Sequence, residues 1–196
     1  MSPDSLRIRP TAPTSCPDEC IVDERVPDIV PGEHESFERI VAEYDTVIFN
    51  LAFRMASDYE DARDITQTVF MKAFRAFDTF DPSRRVFSWL YRIAVNESIN
   101  HIKRRKRTSN LDRDVTDHRP NPEEQFAQDQ KSRLLQAALD RLGLDLKVVI
   151  ILKYFVDLPY REIATVLEIP EKTVKSRLYS ARQQLKDVLE QQRHTA

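Results

Sequence analysis

The residues best suited to chemistry lie in two stretches, and both point to nucleic acid. In the first, Lys103, Arg104, Arg105, Lys106 and Arg107 form an unbroken cationic run behind Arg92, Asn96, Asn100, Phe87, Trp89 and Tyr91. Cations, amides and aromatics alternate along one segment, which suits unstacked single-stranded bases. Each cation that neutralises a phosphate steepens the salt dependence of binding, and a stacked aromatic contributes about 1–3 kcal/mol per base whatever its identity. Some of these aromatics must serve a core; Phe87 and Leu90 are assigned to it, while Trp89 and Tyr91 suit either role. In the second stretch, at about 100° per helical residue, Val174, Leu178, Ala181, Leu185 and Val188 share one stripe. Lys172, Ser176, Tyr179, Ser180 and Gln183 face the other way, with Lys175, Arg177 and Arg182 on the flanks. Short polar side chains reach base edges and flanking cations hold phosphates. Taken alone, such a face equally suits the solvated side of a bundle helix.

Other constellations lead to no reaction. Asp61 and Asp64 share a helical face, but no nearby base or ligand completes a hydrolytic site. Cys16, Cys20 and His34 invite a metal reading, yet the spacing between the cysteines is loose and a fourth ligand is missing. His101, His118 and His194 are scattered. With Gly32 and Gly143 the only glycines, no phosphate-cradling loop is available, which excludes dinucleotide and P-loop enzymes. The expectation is a protein with no catalytic residues, no metal and no cofactor.

The elements that must position these residues are helices. The 196 residues, 41% hydrophobic and 32% charged with net charge −2, suffice for two small cores. Residues 1–33 are Pro-rich and acidic without an apolar period, and read as a disordered tail. Phe37, Ile40, Tyr44, Ile48, Leu51 and Met55 then recur at spacings of three and four, predicting a helix. A second follows from about residue 59 to 77, and a third runs from about 87 into the cationic run. Residues 108–129 are polar, contain two prolines and read as a flexible linker. Beyond it the Leu134–Leu142 stripe, the apolar run at 148–156, a short helix at 159–167, a tight break at Glu168 and Ile169, and a last helix from Pro170 to about 191 complete an all-α chain. The apolar run contains β-branched residues, but no second strand is available to pair with it, so helix is the better reading. The last two helices and their turn have the dimensions of a helix-turn-helix, whose second helix enters a major groove. The domain reading is therefore a tail at 1–33, a first helical domain at 34–107, a linker at 108–129 and a second helical domain at 130–191.

The strings DARDITQTVFMKAFRAFDTFDP and FSWLYRIAVNESINHIKRRKR resemble the second region of bacterial sigma factors, and LPYREIATVLEIPEKTVKSRLYSARQQLK resembles their fourth. The short length, with no folded region between, is similar to the extracytoplasmic-function group of the sigma-70 family. The resemblance implies a dissociable initiation subunit of RNA polymerase. It assigns Asp64 and Gln67, a DxxQ pattern, to the clamp of the largest polymerase subunit, with Thr68 standing where a further acid often follows. It assigns Arg84, Arg85, Arg92, Asn96, Asn100 and the 103–107 run to a melted minus-ten element. Lys172, Thr173, Lys175, Ser176, Arg177, Tyr179, Ser180, Arg182 and Gln183 are assigned to a duplex minus-thirty-five element. Two glycines of the family are replaced, by Glu168, which implies a slightly different turn, and by Lys172, which implies an added DNA contact.

The partners this implies are core RNA polymerase through its clamp and flap, promoter DNA, and an anti-sigma factor. The first residues lack the apolar stretch of a secretory signal, and no apolar run reaches the roughly 20 residues of a membrane span, so a cytosolic protein without membrane insertion is expected. The competing reading is a stand-alone helix-turn-helix regulator that does not act through polymerase.

Overall fold

The computed structural model describes residues 30–81, 85–109 and 130–195. The tail up to residue 29, Arg84 and the linker residues 110–129 lie outside the described residues. Seven helices and no strand occur among those described. No helix among them is long and apolar enough to cross a membrane.

The first lobe holds α1 (His34–Ala56), α2 (Tyr59–Phe77) and α3 (Val86–Ser109). Along α1 the period of three and four places Ile40, Tyr44, Ile48, Leu51 and Met55 in the core. The helix stops at Ser57, which takes the left-handed conformation and sends its N–H to the Phe53 carbonyl. One residue later Asp58 caps α2, its carboxylate accepting the Asp61 N–H at 3.0 Å; a side-chain cap of this kind stabilises a helix by about 1 kcal/mol. On α3, Leu90 and Ala94 are fully buried, and Lys72 of α2 reaches Glu97 at 2.6 Å. The core is rich in aromatic contacts, including Phe37 with Phe77, Phe77 with Phe80, and Phe80 with Trp89 at 4.9 Å.

The second lobe holds α4 (Gln130–Asp140), α5 (Leu144–Tyr154), α6 (Tyr160–Leu167) and α7 (Glu171–Thr195). The ambiguous apolar run is helical: Val148, Val149, Ile150, Ile151 and Leu152 are buried in succession, so the middle of α5 is buried all round. Its partners include α7, which contributes Val174, Leu178 and Ala181, the stripe expected from sequence. Pro170 stands one residue ahead of α7 rather than at its first position, and its carbonyl accepts from Thr173 and Val174.

The lobes do not stand apart. Helix α1 packs on α5, and α3 packs on α6. The last carbonyls of α1 have no partners within their own helix, and the second lobe supplies donors to them. Lys147 Nζ donates to the Met55 carbonyl at 2.6 Å and to Asp140 at 2.7 Å, while Gln136 Nε2 donates to the Arg54 carbonyl at 3.0 Å. A cation at the negative end of a helix is favoured by the macrodipole. Burial holds the Lys147 amine below its usual range, and the hydrogen bond and charge of Asp140 work in the opposite direction. Arg54 lies over the Phe155 ring at 4.5 Å, and burial lowers its pKa too.

Candidate nucleic-acid interface

Asp64 and Gln67 are exposed on α2, one turn apart. They share a polar cleft of about 410 Å³ with Thr68, His101, Arg104 and Arg105, so the start of the DxxQ face and the cationic end of α3 meet at one edge of the first lobe. His101 Nε2 lies 2.9 Å from Asp61, and Arg105 reaches Asp61 and, at 3.6 Å, Asp58. Arg105 is thus partly committed to holding α3 against α2. Lys103, Arg104, Lys106 and Arg107 are exposed. Below Gln67 the same face of α2 continues into Met71 and Phe74, each about half exposed at 48% and 49%. Sequence reasoning assigned neither to this face, although Phe70, Phe74 and Phe77 form a second apolar stripe along α2 that could have pointed to Phe74.

Arg92, Asn96 and Asn100 lie at intervals of four and form one stripe along α3. Asn96 and Asn100 are exposed, but Arg92 is not at liberty: Nη1 meets Glu168 at 2.6 Å and Nη2 donates to the Thr165 carbonyl at 3.2 Å. Its Nε is buried with no hydrogen-bond partner among the described residues. Arg85, just before α3, donates to Glu162 at 2.7 Å, and Ser88 Oγ donates to the same carboxylate at 2.8 Å. Of the aromatics, Leu90's neighbour Tyr91 is core at 2% exposure, and Trp89 is half-buried against Phe80. Phe87, assigned to the core from sequence, is only partly buried and meets Tyr91 edge-on. The hydrophobic demand of a three-helix core claims these rings before any base can.

On α7 the outer face is as expected. Lys172, Ser176, Tyr179, Ser180 and Gln183 are exposed, Tyr179 at 64%. Thr173 is half-buried, its carbonyl accepting from Ser176 Oγ at 3.0 Å. Lys175 pairs with Glu171 at 2.6 Å, a hydrogen bond that raises its pKa. Arg177 reaches Asp145 at 3.2 Å, and Arg182 Nε donates to the Leu178 carbonyl. The turn before the helix departs from expectation. Glu168 adopts the left-handed conformation itself, φ 53° and ψ 41°, and sends its N–H to Ala164, so the turn keeps the geometry that glycine would favour.

A second groove, apolar and of about 550 Å³, lies between α4, α5 and α7. Leu135, Ile150, Tyr154, Phe155, Leu185 and Leu189 line it, with Arg182, Lys186 and Glu190 at its rim. No residue was assigned to it from sequence, although the inner stripe of α7 runs on past Ala181 to Leu185, with Leu189 one turn beyond. Of the metal candidates, Cys16 and Cys20 lie outside the described residues, and His34 pairs with Glu38 at 3.3 Å. No group of three or more potential metal ligands occurs among the described residues.

Comparison with known proteins fits this arrangement. Residues 40–108 match the family described as Sigma-70 region 2, and residues 132–185 match Sigma-70, region 4. The chain is 33% identical over 172 residues to the RNA polymerase sigma-H factor of Pseudomonas aeruginosa, covering 81% of this chain and 89% of that protein. It is 31% identical over 183 residues to the ECF RNA polymerase sigma factor SigW of Bacillus subtilis, covering 87% and 98%. Its fold is similar to that of the sigma factor RpoE solved with the anti-sigma factor NepR from Bartonella quintana, with a TM-score of 0.68 at 23% identity over 80% of this chain and 98% of that one. CnrH, solved with the cytosolic domain of CnrY, gives 0.60 at 27% identity over 81% and 90%. With both regions matched in order across most of its length, the chain belongs to the sigma-70 family of RNA polymerase sigma factors, in the extracytoplasmic-function group.

Proposed function

We propose that the chain is an alternative sigma subunit that docks on core RNA polymerase through α2, captures a melted minus-ten strand along α3 and reads a duplex minus-thirty-five element with the outer face of α7. The observation that carries this reading is the pair of exposed polar and cationic faces, Asn96 to Arg107 on α3 and Lys172 to Gln183 on α7, built on separate helices of a chain with both family regions. Asp64 and Gln67 present a carboxylate and an amide to the polymerase clamp, and Met71 and Phe74 extend that contact with apolar area. The groove around Leu185 and Leu189 suits an apolar helix of the flap. No step of covalent chemistry falls to this chain. Its part is binding: two modest contacts fixed on one large partner make the second contact intramolecular, which raises affinity without new interactions. Strand opening costs a few kcal/mol per extruded base, offset by cationic capture along α3. An anti-sigma factor is a further partner, supported by the complex with the anti-sigma factor NepR in which the similarly folded RpoE was solved.

The test is in vitro transcription over a pool of promoters with purified core polymerase. Promoter-specific transcripts are expected only when both are present. D64A/Q67A is expected to weaken polymerase binding by about 30-fold, the effect of removing an interface hot spot of about 2 kcal/mol. Tight duplex binding by the chain alone, with no effect of polymerase, would establish the stand-alone regulator instead.

A further inference from the structure

We infer that Asp61 is a positioning residue for strand capture: with Asp58 it holds Arg105, and through Arg105 it keeps the cationic end of α3 helical, so that Arg105 is an anchor while its neighbours meet phosphates. This rests on the assignment of α3 to the melted strand. Helix α3 outruns its own packing. Ile102 is its last apolar residue and rests against the core, yet the helix continues to Ser109. About two turns therefore project with no apolar side chain to hold them. They carry five adjacent cations, in which Lys103 stands three residues from Lys106 and four from Arg107, spacings at which like charges repel. The macrodipole favours cations at this end, but salt screens that effect.

The first turn of α2 supplies what packing does not. Each carboxylate oxygen of Asp58 and Asp61 has a partner. Asp58 Oδ1 accepts the Asp61 N–H at 3.0 Å, capping α2, and its Oδ2 lies 3.6 Å from Arg105 Nη1. Asp61 Oδ1 lies 2.9 Å from His101 Nε2, and its Oδ2 accepts from Arg105 Nη1. His101 and Arg105 are one turn apart, so the acids grip α3 at successive turns. Arg105 is half-buried, whereas Lys103, Arg104, Lys106 and Arg107 are exposed. The Asp58 and Asp61 side chains are only 15% and 20% exposed, so solvent screens this pairing less than it does a surface ion pair. Placed beside a strand-binding face, two acids repel phosphate, so their benefit to binding comes through the order they impose on the cations.

The test measures binding of a fluorescent random 12-nucleotide single strand to the purified complex of the full chain with core polymerase, over a range of salt, with polymerase alone as the blank. D61N removes a negative charge and releases a cation, which on charge alone would tighten the strand. A weakening of about 5-fold is expected instead, the loss when the binding-competent form falls to a minority. R105Q should weaken the strand to the same extent and leave the salt slope as it was, while K103Q, which loses a phosphate contact, should lower that slope by about 0.7. D61N/R105Q should bind no more weakly than either single change, since both cut one tether. Amide hydrogen exchange over residues 103–107 of the free chain should quicken in D61N and R105Q but not in K103Q. Tighter or unchanged binding by D61N, additive losses in the double variant, a lower slope with R105Q, or unchanged exchange would each overturn the anchor. No effect of K103Q on affinity or slope would overturn the assignment of α3 to the strand, and the positioning role with it, even where quickened exchange shows the tether itself.

Discussion

Helices α3 and α7 carry similar chemistry in opposite circumstances. Each is a long amphipathic rod with its apolar stripe buried, Leu90 and Ala94 on one and Val174, Leu178 and Ala181 on the other. Their polar faces differ in commitment. On α7 the central residues of the outer face are exposed, and the ion pair of Lys175 is local, with Glu171 of the same helix. On α3, Arg92 is tied to another lobe, and Arg105 to α2. The difference teaches that exposure of a binding face is set by what the rest of the chain does with its cations, not by the amphipathic pattern of the helix that bears it.

The comparison can be broken most forcefully from the core. Leu90 and Leu178 are both fully buried, and L90A or L178A is expected to cost about 2–5 kcal/mol, read by denaturant unfolding. If the lobes are coupled by the seams described, each substitution should also loosen the other lobe, seen as a single shared transition; two separate transitions would show that the seams carry little energy. A smaller effect separates the two faces. K172A should weaken duplex binding to the polymerase complex almost uniformly across sequences and lower its salt slope by about 1. R92A should reduce strand capture by the polymerase complex and leave its duplex binding as it was. The smallest effect is one of pH. Burial holds the Lys147 amine below its ordinary 10.5, so an opened chain keeps a proton that the closed chain has lost. Between those two values the open form binds more protons, and closure strengthens as pH rises toward 10.5. Energy transfer between dyes on E43C and D187C, with Cys16 and Cys20 changed to serine, should increase over that window, and K147M should abolish the pH dependence.

Much of the fold was legible in the residues. Periods of three and four located α1, the run that became α5 was read as helix for want of a pairing strand, and the stripe through Val174, Leu178 and Ala181 named the buried side of α7 in advance. What escaped was set by partners far along the chain. Lys147 reads as a polar break beside an apolar run, yet it is 4% exposed because the end of α1, some 90 residues earlier, offers it a carbonyl. Arg92 reads as a free cation on a helix face, and nothing local shows that Glu168 meets it. Tyr91 was compatible with base stacking from sequence and is core, because three packed helices leave no second side at that position. The left-handed Glu168 was missed for a different reason: the rule against positive φ in non-glycine residues is a preference of modest size, and a single capping residue can override it.

Helix α7 runs for 25 residues without a break, about 37 Å at 1.5 Å per residue. Lys172 and Ser176 sit near its leading end, and Leu185 and Leu189, which wall the apolar groove, lie toward its far end. One stiff beam thus joins a probe to a socket. Whatever seats in the socket sets the tilt at which the probe meets a groove, so alignment on DNA becomes a mechanical property of the docked assembly rather than a choice made by the probe.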